Sequence, residues 1–490
     1  MRQFLIKHYI HLFLIFFSLD DKIIILQSEN MDNMTSNILF IVIDSLRADY
    51  CYDHKKSFST PNLDQMIENG TYFNQSITCA DGTALVLGSI FTGLYPYHSG
   101  IDSYILDTEK PNFFSHLGKQ GYNVYTTVPF YVGVDRIITN FIKRGDGSNF
   151  TSEFESKFEH LDDGYGDDIL KRLDKNNLKE PWFHFIYLAD LHMSNVTQTM
   201  DIPKQFDSEK FGKNTYEQMI SLIDEWLGKF LAKIDLKSTL VVLISDHGDY
   251  IPITGKRETD YIPAWTKTVQ IGKTLLPKSF WPTAKKLTNK TRTTVQQKRF
   301  DYATRNLTNL EKRNSRTRAG SFLFDDLVHT PLIFYGNHVD EGKLVKNQVG
   351  NVNIFPTILD LVGLPQMNGE LDGESLVPLL KNESNKSDPV YMETASIVKT
   401  ERLGKVAGVR TSEYKYFRSR ESPKENVHLY DLQNDPLEEN NLAKTNPEIV
   451  KNMELILSNF LVNLDVELDP DFNYEETVLL EDELKRLGYM

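Results

Sequence analysis

Cysteine is almost absent: the chain has two, Cys51 and Cys79, among 490 residues. Two thiols at that spacing form neither a disulfide framework nor a zinc pattern, and both are expected to be reduced. Long apolar runs are missing as well. No stretch reaches the roughly 18 consecutive apolar residues of a spanning helix, which excludes a polytopic membrane protein. Positive charge is in deficit: 54 Lys and Arg face 68 Asp and Glu, a formal charge of −14. An acidic chain is poorly suited to general nucleic-acid binding, and no nucleic-acid partner is expected. Internal repeats are absent, so a solenoid or propeller is not indicated.

What remains is an ordinary globular composition long enough for two or three domains and a large core. The N-terminus is open to two readings. Arg2 and Lys7 precede an apolar run, Tyr9–Leu19, followed by Asp20 and Asp21. This resembles a leader, but no small-x-small cleavage site follows. Alternatively Met31 or Met34 is the start. The expected setting is therefore cytoplasmic or peripheral to a membrane, or exported if residues 1–30 act as a leader. Nine Asn-x-Ser/Thr sequons, from Asn33 to Asn385, matter only in the exported case.

Asn37–Ile43 (NILFIVI) is a short continuous apolar run rich in β-branched residues, which reads as a buried parallel strand. Similar runs occupy Tyr122–Val128, Trp182–Ala189, Thr239–Ser245 and Pro331–Tyr335. Helical patterns alternate with them, over Asn62–Glu68, from near Thr83, and over Tyr216–Ile234. Strands alternating with helices predict an α/β fold with a mostly parallel central sheet between helices. From about Asp388 the pattern changes to short strands (VAGVRTS, EYKYFRS, VHLYDL) and a closing helix over Pro447–Leu461. A small C-terminal antiparallel subdomain is expected there.

The chemistry sits at strand ends. The first strand ends in Asp44, and a later one (VVLIS-DHGD) in Asp246 and His247. In open α/β sheets, ligands bind outside the carboxyl ends of the strands. Two carboxylates and an imidazole there suit one divalent cation, with Mn, Zn, Ca and Mg all open. The plainer alternative is that both aspartates cap turns. In Asp81-Gly82-Thr83, the glycine allows an unusual turn and Thr83 can open a helix. A hydroxyl at a helix N-terminus beside a metal is a plausible nucleophile. An ordinary N-cap is the alternative.

Several blocks in order resemble the sulfatase family of the alkaline phosphatase superfamily, from about Asn37 to Leu442: NILFIVIDSLRAD, SIFTGLYPYHSG, LISDHGD, FDDLVHTPLIFYG, NIFPTILDLVGLP with LDGESLVPLL, and GVRTSEYKYF with LYDLQNDPLEENNLA. The resemblance implies Asp44, Asp246 and His247 as metal ligands and Thr83 as nucleophile in contact with the metal. It places the substrate-contacting histidine at His192, which could protonate a leaving group or bind the transferring group's oxygens. The pattern also departs from the family. The nucleophile position holds Thr83 rather than the Cys or Ser that becomes formylglycine. The arginine four residues on is Leu87. The Lys or His before Phe324 is missing, with Arg318 the nearest cation and the candidate substrate contact. A threonine resembles superfamily relatives that act on phosphorus.

The expected activity is thus metal-dependent hydrolysis of an anionic sulfate or phosphate ester, phosphoester or diester favoured. Two alternatives stay open: a membrane head-group phosphotransferase and an inactive sulfatase-like binding module. The expected division is an extension over 1–34, a catalytic domain over 35–385, a C-terminal α+β subdomain over 386–465 and an acidic tail over 466–490. Residues 251–320 form an insertion with 16 Lys and Arg against 4 Asp and Glu, a net +12 on a remainder of −26. It reads either as a lid that guides a polyanionic substrate or docks on an anionic membrane surface, or as a solvated loop.

Overall fold

The computed structural model describes residues 36–52, 56–101, 110–129, 138, 141, 150–175, 177–191, 202–252, 256–261, 294–316, 322–395 and 405–462. The expected extension over 1–34, the tail over 466–490, His192, Arg318 and the middle of the insertion lie outside these residues.

The core is an eight-stranded sheet. In chain order its strands are β1 (Asn37–Ile43), β2 (Thr71–Ile77), β3 (Asn123–Val128), β4 (Phe150–Glu155), β5 (Trp182–Leu188), β6 (Thr239–Ile244), β7 (Leu332–Gly336) and β8 (Lys343–Gly350). Their spatial order is β4-β3-β5-β1-β6-β7-β2-β8. The sheet is parallel throughout except for β7, which runs antiparallel to β6 and β2. The sequence alone gives this strand a parallel reading, because a buried apolar run looks the same in either direction. The reversal follows from what precedes it. Just after β6, Gly248 N–H donates to Leu327 O at 2.8 Å, and His329 bridges to Ile77, so the residues that lead into β7 lie at the carboxyl end of β6. A strand entered from that end must run back down.

Successive residues of the central strands feed opposite faces. Ile38, Phe40 and Val42 of β1 join one apolar cluster, and Leu39, Ile41 and Ile43 the other. The helices α1 (Pro61–Asn69), α2 (Thr83–Thr92), α3 (Phe113–Lys119), α4 (Tyr165–Leu173) and α5 (Thr215–Leu231) lie along the chain between strands. Buried residues of α2 and α3 share the Phe40 cluster; those of α1, α4 and α5 share the Ile41 cluster. After the short α6 (Asp325–Val328), α7 (Ile354–Leu361) returns to the first face.

The C-terminal region forms a separate four-stranded sheet, with β9 (Val390–Glu393), β10 (Val406–Arg410), β11 (Tyr414–Ser419) and β12 (His428–Asp431) in the order β12-β11-β10-β9. All its pairings are antiparallel, as expected. The closing helix α8 (Pro447–Leu461) has the predicted bounds and buries Met453, Leu455 and Leu457 against the same cluster as Val409 and Tyr416. Among the described residues, no helix is long and apolar enough to cross a membrane.

Candidate active site

Three neighbouring strands deliver the site. Registered pairing of β1 with β5 and β6 brings their carboxyl ends level. Asp44 leaves β1 with its N–H on Leu188 O at 2.9 Å. Ser45 then turns the chain with φ of 62°, a left-handed conformation uncommon for a residue with a side chain. Three contacts hold it: Ser45 N–H donates to Asp246 Oδ1 at 3.3 Å, its hydroxyl donates to Asp44 Oδ1 at 2.8 Å, and its carbonyl accepts from Tyr216 OH at 2.7 Å. On the β6 side, Ser245 ties the two loops together, accepting from Leu46 N at 2.9 Å and donating to His247 O at 2.9 Å. Gly248 is needed for close approach: a Cβ there would meet Asp326 O at 2.1 Å.

Asp44, Asp246 and His247 are fully buried, and one ligand atom from each lies within 4.8 Å of the others. His247 Nε2 stands 3.8 Å from Asp44 Oδ1 and 3.6 Å from Asp246 Oδ2. Its other nitrogen, Nδ1, is 3.0 Å from Gly248 O. A carbonyl only accepts, so Nδ1 carries a proton, and Nε2 is the nitrogen turned to the two carboxylates and available to a cation. Two acceptor carboxylates and an imidazole lone pair converging in one buried spot fit a divalent cation by donor chemistry. The capping alternative is partly realised, since Asp246 Oδ1 accepts from His247 N at 2.8 Å, but it leaves Oδ2 facing the cluster.

Thr83 is the first residue of α2, and Gly82 is the N-cap. No side chain caps this helix, so the N-cap alternative for Thr83 does not hold. Gly82 is extended, with φ of −143°, rather than in an unusual turn. Its missing side chain instead admits Ala395, whose Cβ would lie 2.6 Å from a Cβ at Gly82. Freed from capping, Thr83 Oγ1 lies 3.2 Å from His247 Nε2. Thr83 is half-buried, whereas Asp44, Asp246 and His247 are fully buried. The hydroxyl therefore stands beside the cluster, at the positive end of a ten-residue helix. Leu87 is buried in the apolar core, so α2 offers no cation near Thr83. Cys79 is no rival nucleophile: burial pushes its thiol up to about 12, and its Sγ lies 3.2 Å from Ser89 Oγ.

Two residues escaped sequence reasoning. Ser45 could have been noticed only as the neighbour of Asp44. Tyr187 sits within an alternating Phe183, Phe185, Tyr187 series that reads as core. Its hydroxyl donates to Asp246 Oδ2 at 3.0 Å. Burial, then the Asp246 and Asp44 carboxylates, push the phenol well above its ordinary value, so it stays a neutral donor.

Around this centre lies a charged wall. Arg47 pairs with Asp326 at 2.8 Å, and Arg313 pairs with the same carboxylate at 2.5 Å. Burial alone would raise Asp326, but the two guanidinium groups outweigh it and hold the carboxyl below its usual range. Asn314 accepts from Arg47 Nη1 at 2.7 Å and from Ile251 N at 3.1 Å. The described end of the basic insertion is therefore docked beside the Asp246-His247 loop. Asp249 pairs with Arg257 at 3.0 Å.

A family model described as Sulfatase matches residues 36–364, and one described as N-sulphoglucosamine sulphohydrolase, C-terminal, matches residues 319–463. The chain is 31% identical over 140 residues to arylsulfatase K of Danio rerio, a match covering 28% of this chain and 26% of that protein. It thus spans about a quarter of the length of such curated relatives. Among solved structures it resembles a 2-O GAG sulfatase, with a TM-score of 0.60 and 17% identity, covering 89% of this chain and 95% of the other. It also resembles the phosphonate monoester hydrolase of Agrobacterium radiobacter, with a TM-score of 0.55 and 17% identity, covering 87% and 95%. At such identities the likeness is one of fold.

Proposed function

The chain belongs to the sulfatase family, and from that premise we propose that it is a metal-dependent hydrolase of sulfate or phosphate esters with Thr83 as nucleophile. The observation that carries the reading is the place of Thr83: half-buried, opening α2, with Oγ1 at 3.2 Å from His247 Nε2 beside Asp44 and Asp246.

Asp44, Asp246 and His247 would hold a divalent cation, which would supply charge neutralisation at the nucleophilic and transferring oxygens. The remaining work falls to the chain. The α2 N-terminus favours negative charge at Thr83 Oγ1. That oxygen passes its proton to solvent and bonds to the sulfur or phosphorus as the bond to the leaving oxygen breaks; water then cleaves the Thr83 ester, releasing the acid and returning a proton to Oγ1. By sequence position, His192 protonates the leaving oxygen and Arg318 contacts the anionic group. The basic insertion steers an anionic substrate to this end of the sheet. A threonine cannot become formylglycine, and the fold is shared with a phosphonate monoester hydrolase. Both favour phosphorus esters alongside sulfate esters.

The test is a panel of aryl sulfate, phosphate monoester, phosphate diester and phosphonate ester, run with Mn, Zn, Ca or Mg. Metal-dependent turnover should fall by more than about 1,000-fold in Thr83→Ala. Turnover that survives in Thr83→Ala removes the nucleophile assignment. Metal binding with no turnover across the panel would turn the reading into a binding module.

A further inference from the structure

We propose that Tyr187 is a positioning residue of the metal centre, aiming the second oxygen of Asp246 at the cation. The proposal rests on the ligand set assigned above and adds a residue outside the motif blocks.

The core holds an anomaly. On the face covered by α2, the central strands present Phe183, Phe185 and Tyr187 from β5, Phe40 and Val42 from β1, and Val242 and Ile244 from β6. All are hydrocarbon apart from one phenol oxygen. Tyr187 is 0% exposed, so its hydroxyl does not reach solvent. A phenylalanine would fill almost the same volume, and a buried hydroxyl needs a partner to offset its desolvation, a cost of about 1–3 kcal/mol. The oxygen therefore requires a reason, and the geometry supplies one.

Tyr187 pairs in register with Val42, two residues before Asp44. Its ring consequently points to the same face as Asp44 and reaches the ends of both β1 and β6. There its hydroxyl meets Asp246 Oδ2 at 3.0 Å. The division of labour on that carboxylate is informative. Oδ1 is fixed by two backbone donors, Ser45 N at 3.3 Å and His247 N at 2.8 Å. Oδ2 is the oxygen that faces His247 Nε2, at 3.6 Å. The backbone thus anchors one oxygen, and the phenol sets the direction of the other. The same hydroxyl interacts with Thr83 and Asp44.

The choice of tyrosine suits a cation site. An uncharged O–H orients a carboxylate without bringing a positive charge that would repel the bound ion. Outer hydrogen bonds of this kind fix ligand direction, and their loss typically weakens metal binding by 10–100-fold. The first turn of α2 carries no charged residue, and Leu87 is in the core, so a neutral donor from β5 is the device this chain has there.

Tyr187→Phe removes the oxygen and keeps the ring. The experiment titrates wild type and variant with Mn, Zn, Ca and Mg by calorimetry, with no ester present, and follows the cation that wild type binds tightest. The dissociation constant should rise by about 10-fold or more in the variant. Where an ester is turned over, kcat should fall at limiting metal and recover at saturating metal, which a purely structural lesion would not do. A dissociation constant within twofold of wild type overturns the proposal. A wild type that binds none of the four cations overturns it together with the metal reading. If Tyr187→Phe weakens metal binding while Thr83→Ala keeps full turnover, the nucleophile reading fails and this one stands.

Discussion

At the residue scale the site divides into what a motif can display and what only a fold can assemble. Asp44, Thr83, Asp246 and His247 are legible because strand ends and helix starts expose chemistry at fixed places. The structure brings all four together. Ser45 and Tyr187 are not legible, since their roles depend on register and on one strained φ. Gly248 is a sharp case. Alanine there would drive a Cβ into the Asp326 carbonyl, so Gly248→Ala should lower stability by about 1–3 kcal/mol in urea unfolding and weaken metal binding in the same sample. Asp190 offers a prediction with a sign. It is 1% exposed, accepts from Leu161 N at 3.0 Å, and burial pushes its carboxyl up to about 7. The nearby Asp163 and Asp162 add to that rise, and His160 Nδ1 lies 3.9 Å away. The folded state therefore holds this proton more tightly than the unfolded chain. Stability contributed by Asp190 is full below the unfolded value and is lost as pH rises toward about 7, by at most roughly 1.4 kcal/mol per pH unit. Asp190→Asn keeps the acceptor for Leu161 and removes the proton. Urea unfolding at pH 5 and pH 8 should show a smaller gap in the variant, and an unchanged gap would place the linkage elsewhere.

Elements were legible in proportion to their burial. The runs behind β1, β5 and β6 are buried on both faces and stand out as continuous apolar stretches. In the main sheet, the strands that composition hides are β2, β4 and β8. Two are sheet edges, and β2 reads TYFNQSI with a half-exposed middle. An edge strand has one unpaired side and tolerates charge, so β8, with Lys343 and Lys346, carries little apolar signal. Helix ends follow side-chain chemistry. Asn214 Oδ1 accepts from Glu217 N at 3.0 Å and caps α5, whose first residue, Thr215, lies one before the first expected position. Asn214→Ala should cost about 1 kcal/mol in urea unfolding. The described helical residues 294–303 of the insertion expose Lys298 and Arg299 while Phe300 is fully buried. If the insertion steers an anionic ester, Lys298→Glu with Arg299→Glu should lower kcat/KM several-fold at low salt, and the deficit should shrink as salt screens the field. A deficit that persists in high salt would mean a contact rather than steering.

At the scale of the whole molecule, the C-terminal sheet braces the loop that carries Asp246 and His247 through a chain of contacts. Lys415 of β11 is fully buried, pairs with Asp325, and reaches Glu438 at 2.8 Å. Arg410 of β10 adds a pair to Asp325 at 2.9 Å. Burial would raise Asp325, but Arg410 and Lys415 outweigh it and hold the carboxyl well below its ordinary range. Its contribution to stability is therefore present above the usual carboxylate range and lost as acid titrates the folded form. Asp325 opens α6, and Leu327 O two residues later accepts from Gly248 N at 2.8 Å. The second sheet thus holds the turn against which His247 and Gly248 rest. Lys415→Met removes a cation shared by the buried Glu438 and the partly buried Asp325 while keeping the aliphatic stem. Such a break takes a cation from the buried Glu438 while Asp325 keeps Arg410, and the expected loss is about 3 kcal/mol in urea unfolding near neutral pH. That loss should shrink as pH falls and the stranded carboxylate takes up a proton. If the brace transmits order to that loop, the folded variant should also bind its cation several-fold more weakly than wild type. Unchanged metal affinity in a destabilised variant would show that the loop is set by the main sheet alone.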